Sequence, residues 1–522
     1  MNPMASAINW VREHSPEGQG ISISSRIRVS YPEVTGYFIP TLCALGEKAL
    51  ARQYAEWLVS VQGAEGGFGL DGQWYAFDTG QVIRGWVSLL PEMPELARPL
   101  RRACDWMLQN ADPVSGRLPV PAPGGAWSLG GRGEVSEGIH LYTLHPLRQA
   151  GELLNEPRYL QFVQRSLQHY LRNVDLVSFT CPNALAHFFA YIQEALVELG
   201  CDALARKGMQ AVAECQDALG GVPGYRDVSW ICSPGLAQYA KVWHLLGEAG
   251  RAGAALNFLT RLQNPSGGFF GSYGVGAAYF PGEEVAWTVK YFLDAFQLQI
   301  TGHFDATVGA YRDDIAETDG RLQAILQAMG DLQGKRVLDA GCGKGRYAAF
   351  LKRRFPGADV TALDISAEML RHVPSGIRTV QESILHMPFS DGQFDAVLCV
   401  EALEHVVQVE EGIRELARVL APGGTLVIID KNREKLGRLE MPVWERWFAG
   451  RELLDPMRAC GLTADVKAVG YDDRHQPDGL FLCWEGTKLQ AAVARTSQAS
   501  PVAPSHGRPS AGWALTPAAT RR

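Results

Sequence analysis

The sequence predicts a multidomain protein, with an all-α part over residues 1–300 and an α/β part over residues 334–488. Two observations predict this division. The first part repeats a pair of helices about every 50 residues, which is typical of an (α/α)6 toroid. The second part alternates strand-like and helix-like runs, which predicts a seven-stranded, mostly parallel sheet. Residues 301–333 are predicted to form a linker helix. Residues 489–522 are rich in Ala, Ser and Pro and are predicted to form a disordered tail.

The composition is that of a globular protein rather than a fibrous or disordered one. Hydrophobic residues make up 46% and charged residues 20% of the 522 residues, which is enough apolar material for large cores. No apolar run approaches the roughly 18 residues that span a bilayer. The N-terminal stretch also lacks the apolar centre of a signal peptide. We therefore expect a cytoplasmic protein without a transmembrane segment.

Charge and cysteine usage exclude further classes of protein. The net charge is −7, and no long block of Lys or Arg occurs, which argues against nucleic acid as a partner. The ten cysteines form no C-x-x-C pair, and no group of His, Cys, Asp and Glu has the spacing of metal ligands. We expect neither a structural zinc site nor a disulfide framework, and no metal in the functional site.

The repeat in residues 1–300 consists of a helix, a Gly-rich loop and a second, more apolar helix. Glycines such as those in Gly66-Gly67-Phe68 follow the first helices, where a positive φ is needed to end a helix. Six such hairpins can close into a ring with the second helices inside, and an open superhelix is the alternative. The second helices are predicted to begin near Tyr31, Phe77, Glu134, Cys181, Cys232 and Pro281.

The six repeats and their Gly-Gly-Phe turns resemble the toroid family that includes glycan lyases, glycan hydrolases, epimerases and terpenoid cyclases. No D-x-D-D motif occurs in residues 1–300, which argues against a cyclase. Carboxylates beside tryptophans suit sugar rings, although acidic residues at these positions are also typical helix caps. The candidate cleft residues are Trp74, Asp78, Trp127, Glu137, His140, His187, Tyr225, Asp227, Trp230, Glu283, Glu284 and Trp287.

A glycine-rich turn opens the α/β part. A short apolar strand, Arg336–Ala340, precedes Gly341, Gly343 and Gly345, and a helix follows. Glycines between a strand and a helix let a ligand approach the backbone, and the helix start offers free N–H groups. The next predicted strand ends in Asp364, where an acidic residue can accept hydrogen bonds from ribose hydroxyls.

Five motifs then occur in order: VLDAGCGKG, ALDIS, MPF, FDAVLCVEALEHV and LAPGGTLVI. Together they resemble the class I S-adenosylmethionine-dependent methyltransferases that act on small molecules, with a Rossmann-like sheet. The resemblance covers about 150 residues and implies S-adenosyl-L-methionine as the cofactor. It assigns cofactor binding to Asp339, Gly341, Gly343, Asp364, Ile365, Ser383 and Glu401.

The resemblance also implies how the roles are divided. Asp339, Gly341 and Gly343 would hold the methionine end of the cofactor. Asp364 would hold the ribose, Ile365 would lie beside the adenine, and Glu401 would line the cleft. Such enzymes usually carry an acidic residue near the position of Ser383, facing the adenine amine. Here the acidic side chain is on its neighbour, Glu382.

His405 is the candidate catalytic residue. Methyl transfer needs alignment of donor and acceptor, exclusion of water and, for a hydroxyl acceptor, removal of a proton. His405 follows the fourth strand at the open end of the sheet, and histidine is the side chain that titrates near neutrality without help. A cleft-lining role or a helix-capping role is the alternative.

Two further segments are candidates for contact with the acceptor. The Trp-rich stretch 431–448 is amphipathic and is either an acceptor lid or an ordinary packed helix, and a helix is predicted over residues 443–461. Asp472, Asp473 and His475 lie in the loop between the last two strands, where a solvated turn is the simpler interpretation.

Three hypotheses for the function follow. In the favoured one, the protein is a methyltransferase for a small molecule, glycan or glycolipid, and the toroid binds the acceptor. Cell-surface polysaccharide biosynthesis is one pathway that this hypothesis would fit. In the second, the protein is bifunctional, and the toroid is also a glycan lyase, hydrolase or epimerase. In the third, the toroid is a scaffold for other proteins.

Overall fold

A computed structural model describes residues 2–70, 72–120, 135–179, 184–470 and 478–490. Several predicted features lie outside these residues. They are Trp127, the predicted helix starts at Glu134 and Cys181, the loop residues Asp472, Asp473 and His475, and the tail from residue 491 onward.

The N-terminal part is a series of paired helices. The first helices of the pairs are α1 (Pro3–Glu13), α3 (Lys48–Val61), α5 (Ala97–Gln109), α7 (Pro157–Asn173), α9 (Asp202–Ala213) and α11 (Ala249–Leu262). The second helices are α2 (Pro32–Ala44), α4 (Ala76–Leu89), α6 (Leu141–Leu153), α8 (Ala186–Glu198), α10 (Ser233–Leu245) and α12 (Ala286–Thr307). Two short antiparallel strand pairs lie in the loops. β1 (Gly69–Leu70) and β2 (Gln73–Trp74) form a hairpin, and β3 (Ile231–Cys232) pairs with β4 (Ser272–Tyr273), which follows α11.

The second helices are the buried ones. Helix α2 buries ten of its 13 residues, whereas α3 buries four of its 14 residues. Each second helix contacts the next along the chain, and α12 contacts α2, so the order of contacts is cyclic. Glycine permits the close approach of α2 and α4, because a Cβ on Gly36 would lie 2.6 Å from the carbonyl oxygen of Gln81.

The C-terminal part contains a seven-stranded sheet, as predicted. Its strands are β5 (Arg336–Ala340), β6 (Asp359–Asp364), β7 (Arg378–Gln381), β8 (Phe394–Val400), β9 (Leu420–Lys431), β10 (Asp465–Val469) and β11 (Phe481–Thr487). The strand order is β10-β11-β9-β8-β5-β6-β7. Strands β5 to β9 pair in parallel, and β11 pairs antiparallel with both β9 and β10.

Five helices accompany this sheet: α13 (Gly320–Met329), α14 (Arg346–Arg354), α15 (Ala367–Leu370), α16 (Val409–Val419) and α17 (Leu454–Ala459). The predicted linker, residues 301–333, contains the end of α12, a 3-10 turn at Val308–Ala310 and α13. No helix in the described ranges is both long and apolar enough to cross a membrane.

The prediction of a helix over residues 443–461 is wrong for the first half of that range. Only Leu454–Ala459 is helical. The backbone N–H of Arg446 donates to the carbonyl of Glu404 (2.8 Å), and that of Phe448 donates to the carbonyl of Lys431 (3.0 Å). These tertiary hydrogen bonds replace the helical i to i−4 bonds that the amphipathic pattern predicts. Trp444 and Trp447 are buried, so this stretch packs into the protein as an irregular segment.

Candidate functional site

The carboxyl ends of the parallel strands open into one cavity of about 410 Å³. This size falls in the range of cavities that hold a cofactor or a drug-sized molecule. Strand β5 lies between β8 and β6. The chain continues from β5 to β6 and β7 on one side, and the later strands β8 and β9 lie on the other side. Ligands of open parallel sheets bind at such a switch point.

The glycine loop after β5 forms one wall of the cavity. Gly341, Gly343 and Gly345 have φ angles of +74°, +53° and +75°, which disfavour residues with a side chain. A Cβ on Gly341 would lie 2.3 Å from Cβ of Ala402, whereas nothing lies within 4 Å of one on Gly343. The loop is therefore tight behind Gly341 and open at Gly343, where a ligand can approach the backbone.

Asp364 lies at the end of β6 and lines the cavity. Its Oδ2 accepts a hydrogen bond from the backbone N–H of Gly343 (2.8 Å), and its Oδ1 accepts one from that of Ser366 (2.9 Å). Burial raises the pKa of this carboxyl above its ordinary value, although the two N–H groups oppose the shift. The side chain is fixed in place and retains lone pairs for a hydroxyl-bearing ligand.

Asp339 is placed differently from the other predicted cofactor residues. Its side chain is 1% exposed and is absent from the described lining of the cavity. Its Oδ2 accepts a hydrogen bond from the backbone N–H of Ala348 (3.0 Å), which ties β5 to the first turn of α14. Burial raises the pKa of Asp339 to about 7. The geometry gives this residue a part in holding the glycine loop rather than in touching a ligand.

Gly341, Gly343, Ile365, Ser383, Glu401 and His405 also line the cavity. Ser383 donates its backbone N–H to Oε1 of its neighbour Glu382 (2.8 Å), and both residues reach the cavity. The carboxylate predicted for this wall is therefore present, supplied by the preceding residue.

The backbone of Glu401 is strained, with a φ of +53°. Such an angle is uncommon for a residue with a side chain and is frequent at functional sites. Oε1 of Glu401 lies 3.0 Å from Nη2 of Arg346 and also forms an ion pair with Arg321. Arg321 is itself buried and hydrogen-bonded to Asp319. Sequence reasoning missed both arginines, which lie outside the five motifs or at their margin.

His405 lies between the cavity and a buried charged cluster. Burial lowers the pKa of its imidazole to about 3, so the ring is neutral at pH 7. The Nδ1 atom is buried and has no hydrogen-bond partner among the described residues, and Nε2 lies 3.4 Å from Oε1 of Glu404. The rings of His405 and Phe304 form a T-shaped pair, with centroids 5.0 Å apart.

The cluster beside His405 consists of Glu404, Asp430, Lys431 and Glu445. Nζ of Lys431 lies 2.7 Å from Oε1 of Glu404 and 2.9 Å from Oε1 of Glu445. Burial raises the pKa of Glu404 to about 8, and burial together with the nearby carboxylate of Glu404 raises the pKa of Asp430. Candidate ligand atoms of Glu404, His405 and Glu445 lie within 4.8 Å of one another, as in a metal site. The ammonium of Lys431 already supplies the positive charge between the two glutamates.

The N-terminal part completes the cavity. Gln297, Ile300 and Phe304 lie on one face of α12, at the spacing that places side chains above one another on a helix. Ala44 and Leu45, at the end of α2, and Met4 of α1 line the same cavity. These contributions were not predicted, because they depend on how the two parts of the chain pack.

The stretch 431–448 is absent from the described cavity lining, which does not favour the acceptor-lid interpretation. Its tryptophans contact the protein interior instead. Trp444 packs on Phe296 and His303, with ring centroids 6.2 Å and 5.3 Å apart.

Comparison with known proteins identifies the class of the C-terminal part. Residues 338–428 match the family described as the methyltransferase domain. A fatty-acid O-methyltransferase of Mycolicibacterium smegmatis is 38% identical over 146 residues, which are 27% of this chain and 52% of that protein. A ubiquinone biosynthesis O-methyltransferase of Escherichia coli O157:H7 is 40% identical over 121 residues, which are 22% and 50% of the two chains.

A third relative, methyltransferase GfsG of Streptomyces halstedii, is 34% identical over 128 residues, or 23% of this chain and 46% of that protein. This chain thus spans about half the length of these relatives. Its C-terminal part contains a class I S-adenosylmethionine-dependent methyltransferase domain, and its cofactor is S-adenosylmethionine. The open glycine loop and the fixed carboxylate of Asp364 fit that cofactor.

Proposed function

We propose that this protein transfers a methyl group from S-adenosylmethionine to an oxygen of a small-molecule acceptor. The observation that carries the proposal is the single cavity shared by the glycine loop, Asp364, His405 and helix α12. Bound S-adenosylmethionine supplies a methyl group on a positively charged sulfur, which an oxygen nucleophile can take directly. The relatives named as O-methyltransferases support oxygen as the methylated atom.

The cofactor roles divide along the cavity wall. Gly341 and Gly343 would present backbone to the methionine end, Asp364 would accept hydrogen bonds from the ribose, and Ile365 would lie beside the adenine. Glu401 lines the cleft between its two arginines, and Asp339 holds the loop from behind. Ser383 and Glu382 form the wall that faces the adenine amine.

His405 is assigned as the group that orients the acceptor oxygen. A general base is most effective when its pKa is near the working pH, and burial holds the pKa of His405 near 3. Its neutral ring is nevertheless a hydrogen-bond acceptor at pH 7. We therefore propose that His405 aligns the acceptor hydroxyl and does not act as the base that accepts the proton of that hydroxyl.

We propose that the N-terminal part is an (α/α)6 toroid that serves the acceptor side of this site. The cyclic order of helix contacts and the wall formed by α2 and α12 support the proposal. The open superhelix is disfavoured by the contact between the last and first of these second helices.

A separate glycan-processing activity of the helical part gains no support from its acids. Asp78 accepts from the Tyr31 hydroxyl (2.6 Å), and Glu284 accepts from Nε1 of Trp10 (2.6 Å). Glu137 and Glu283 are held by Arg117 and by Ser24. These hydrogen bonds and ion pairs support a structural role for the four acidic residues. We therefore propose neither a bifunctional protein nor a role in polysaccharide biosynthesis. No observation favours the scaffold hypothesis either.

Transfer of labelled methyl groups tests the proposal. The full chain is incubated with methyl-labelled S-adenosylmethionine and host extract, which is then separated into lipid, glycan, protein and small-molecule fractions. Asp364→Ala is the inactive variant. Asp359→Ala, an exposed position at the opposite end of the same strand, is the matched control.

We expect label in a small-molecule or lipid fraction with the wild type and Asp359→Ala, and none with Asp364→Ala. Label in no fraction, or equal label with Asp364→Ala, would contradict the proposal.

A further inference from the structure

The wall that helices α1, α2 and α12 give to the cavity is almost entirely apolar. It consists of Met4, Ala44, Leu45, Gln297, Ile300 and Phe304. Gln297 is the polar residue among those that these helices contribute within the described lining, and none is charged. The charged side chains of the described lining lie outside these three helices. They include Arg312 and Arg321 in the segment before the sheet, and Asp364, Glu382 and Glu401 in the methyltransferase part.

This distribution discriminates between classes of acceptor. A sugar ring has several hydroxyls, and each hydroxyl that loses water without gaining a partner costs free energy. The helical wall offers one amide to replace that water. An alkyl chain or an apolar ring, by contrast, gains free energy from every methylene that it buries against such a wall.

The wall also has a direction. Gln297, Ile300 and Phe304 follow one face of α12 for two turns, which at 1.5 Å per residue is roughly 10 Å. Phe304 is the residue of this face that contacts His405. Val406 and Val407 extend the apolar lining on the side of His405. One end of the apolar surface therefore lies beside the group assigned to the reacting oxygen.

We propose that the acceptor is an amphiphile, with its oxygen head group at His405 and its apolar body along the α12 face formed by Gln297, Ile300 and Phe304. This inference rests on the proposed methyl transfer and names its substrate class. A carboxylate and a phenolic hydroxyl are both oxygen head groups of this kind. The helical part would then set which apolar bodies are accepted.

The test uses two series of probes and one hydrophilic comparison. Alkanoates of 6 to 14 carbons and 4-alkylcatechols of matched length are titrated into the full chain saturated with S-adenosylhomocysteine, and maltose is the hydrophilic probe. Methyl transfer to the same probes is measured with S-adenosylmethionine. The two series distinguish a carboxylate head group from a phenolic one.

The expected result is that affinity rises with chain length in at least one series, by roughly fourfold for each methylene that reaches the wall. Maltose should neither bind nor accept a methyl group. Affinity independent of chain length, or binding of maltose with no binding of either series, would overturn the proposal.

Variants of α12 locate the apolar body. Ile300→Trp fills the wall and should shorten the longest chain that binds. Phe304→Ala opens the wall and should weaken binding of the preferred chain tenfold or more. Leu298→Trp is the matched control on the same helix, at a position outside the described lining. Unchanged chain-length preference in both wall variants would overturn the placement along α12.

Cofactor affinity separates this inference from the proposed function. Both wall variants should bind S-adenosylhomocysteine as the wild type does, and this shows that they are folded. Failure of the wild-type protein to bind S-adenosylhomocysteine would refute the proposed methyl transfer itself. Normal cofactor binding together with no transfer to any amphiphile would refute only the substrate class.

Discussion

Phe304, in the last turns of α12, packs edge-on against His405, which follows strand β8, with 5.0 Å between their ring centroids. The pair connects a helix of the N-terminal part with His405, the residue of the methyltransferase domain that we propose orients the acceptor oxygen. Phe304 also shields the imidazole from water, and this burial is the main reason for the low pKa of His405. The helical part thus affects both the shape and the electrostatics of the site.

The first prediction concerns this shielding. Phe304→Ala should raise the pKa of His405 from about 3 toward the ordinary value near 6.5, because water can then hydrate the imidazolium. Phe304→Leu, which keeps an apolar side chain there, should change the pKa less. Histidine ring titration by NMR measures both. Equal pKa values in the wild type and Phe304→Ala would show that Phe304 does not bury the ring.

The second prediction concerns the pH dependence of methyl transfer. Because His405 stays neutral above about pH 4, its titration should produce no fall in rate between pH 8 and pH 5. His405→Asn, which keeps a hydrogen-bond acceptor, should retain activity within about tenfold of the wild type. A general base would show a larger loss, of 100-fold or more, and a limb in the pH–rate profile at the pKa of the base. Such a limb, absent in His405→Asn, would contradict the orienting role.

The third prediction compares two glycines with positive φ. Gly343→Ala and Gly376→Ala both place a side chain at a strained angle with open space around it, and each should cost about 1–2 kcal/mol of stability. Only Gly343 lines the cavity. Affinity for S-adenosylhomocysteine, measured by calorimetry, should therefore fall at least tenfold in Gly343→Ala and stay unchanged in Gly376→Ala. A similar loss in both variants would remove Gly343 from the cofactor wall.

The predictability of this site differs between its two walls. The motifs place Gly341, Gly343, Asp364 and Glu401 from local sequence alone, because each lies at a strand end whose register is set by the apolar pattern of the strand. The α12 wall could not be predicted in the same way. Ile300 lies about 100 residues before His405 in the sequence. Whether its side chain faces the cavity depends on how the N-terminal and C-terminal parts pack against each other.

Local patterns also failed where tertiary hydrogen bonds compete with a helix. A helix is predicted over residues 443–461, yet the backbone N–H of Arg446 donates to the carbonyl of Glu404, and that of Phe448 donates to the carbonyl of Lys431. The buried position of Asp339 was likewise hidden from sequence. The motif gives the carboxylate but not the side of the loop on which it lies.

The fourth prediction concerns the buried ion pairs of Lys431. Lys431→Met leaves Glu445, whose side chain is 4% exposed, without its cation. Removal of one partner of a buried pair should cost about 3 kcal/mol. Urea unfolding should show this as a lower midpoint. The double variant Lys431→Met with Glu445→Gln should recover part of the loss, and a double variant less stable than the single one would contradict the account.

The fifth prediction concerns pH and stability in the helical part. Burial raises the pKa of Asp78 to about 7, so the folded chain binds this proton more tightly than the unfolded chain does. Its contribution to stability is full below about pH 4 and is lost as the pH rises toward 7, by up to about 1.4 kcal/mol per pH unit.

Asp78→Asn removes this titration and should reduce the difference between the melting temperatures at pH 5 and pH 8. Glu65→Gln, at an exposed carboxylate, is the control and should leave the difference as in the wild type. A difference in Asp78→Asn as large as that of the wild type would show that Asp78 is not the titrating group.

Hydrogen–deuterium exchange of the full chain, free and with both S-adenosylhomocysteine and the preferred alkyl probe bound, tests most directly that both parts form one functional site. The account predicts slower exchange in the glycine loop at residues 341–347, after β6 at residues 364–366, and also along α12 at residues 297–305. Protection confined to the C-terminal part, with α12 exchanging at the same rate in both states, would contradict the claim that the helical part completes the cavity.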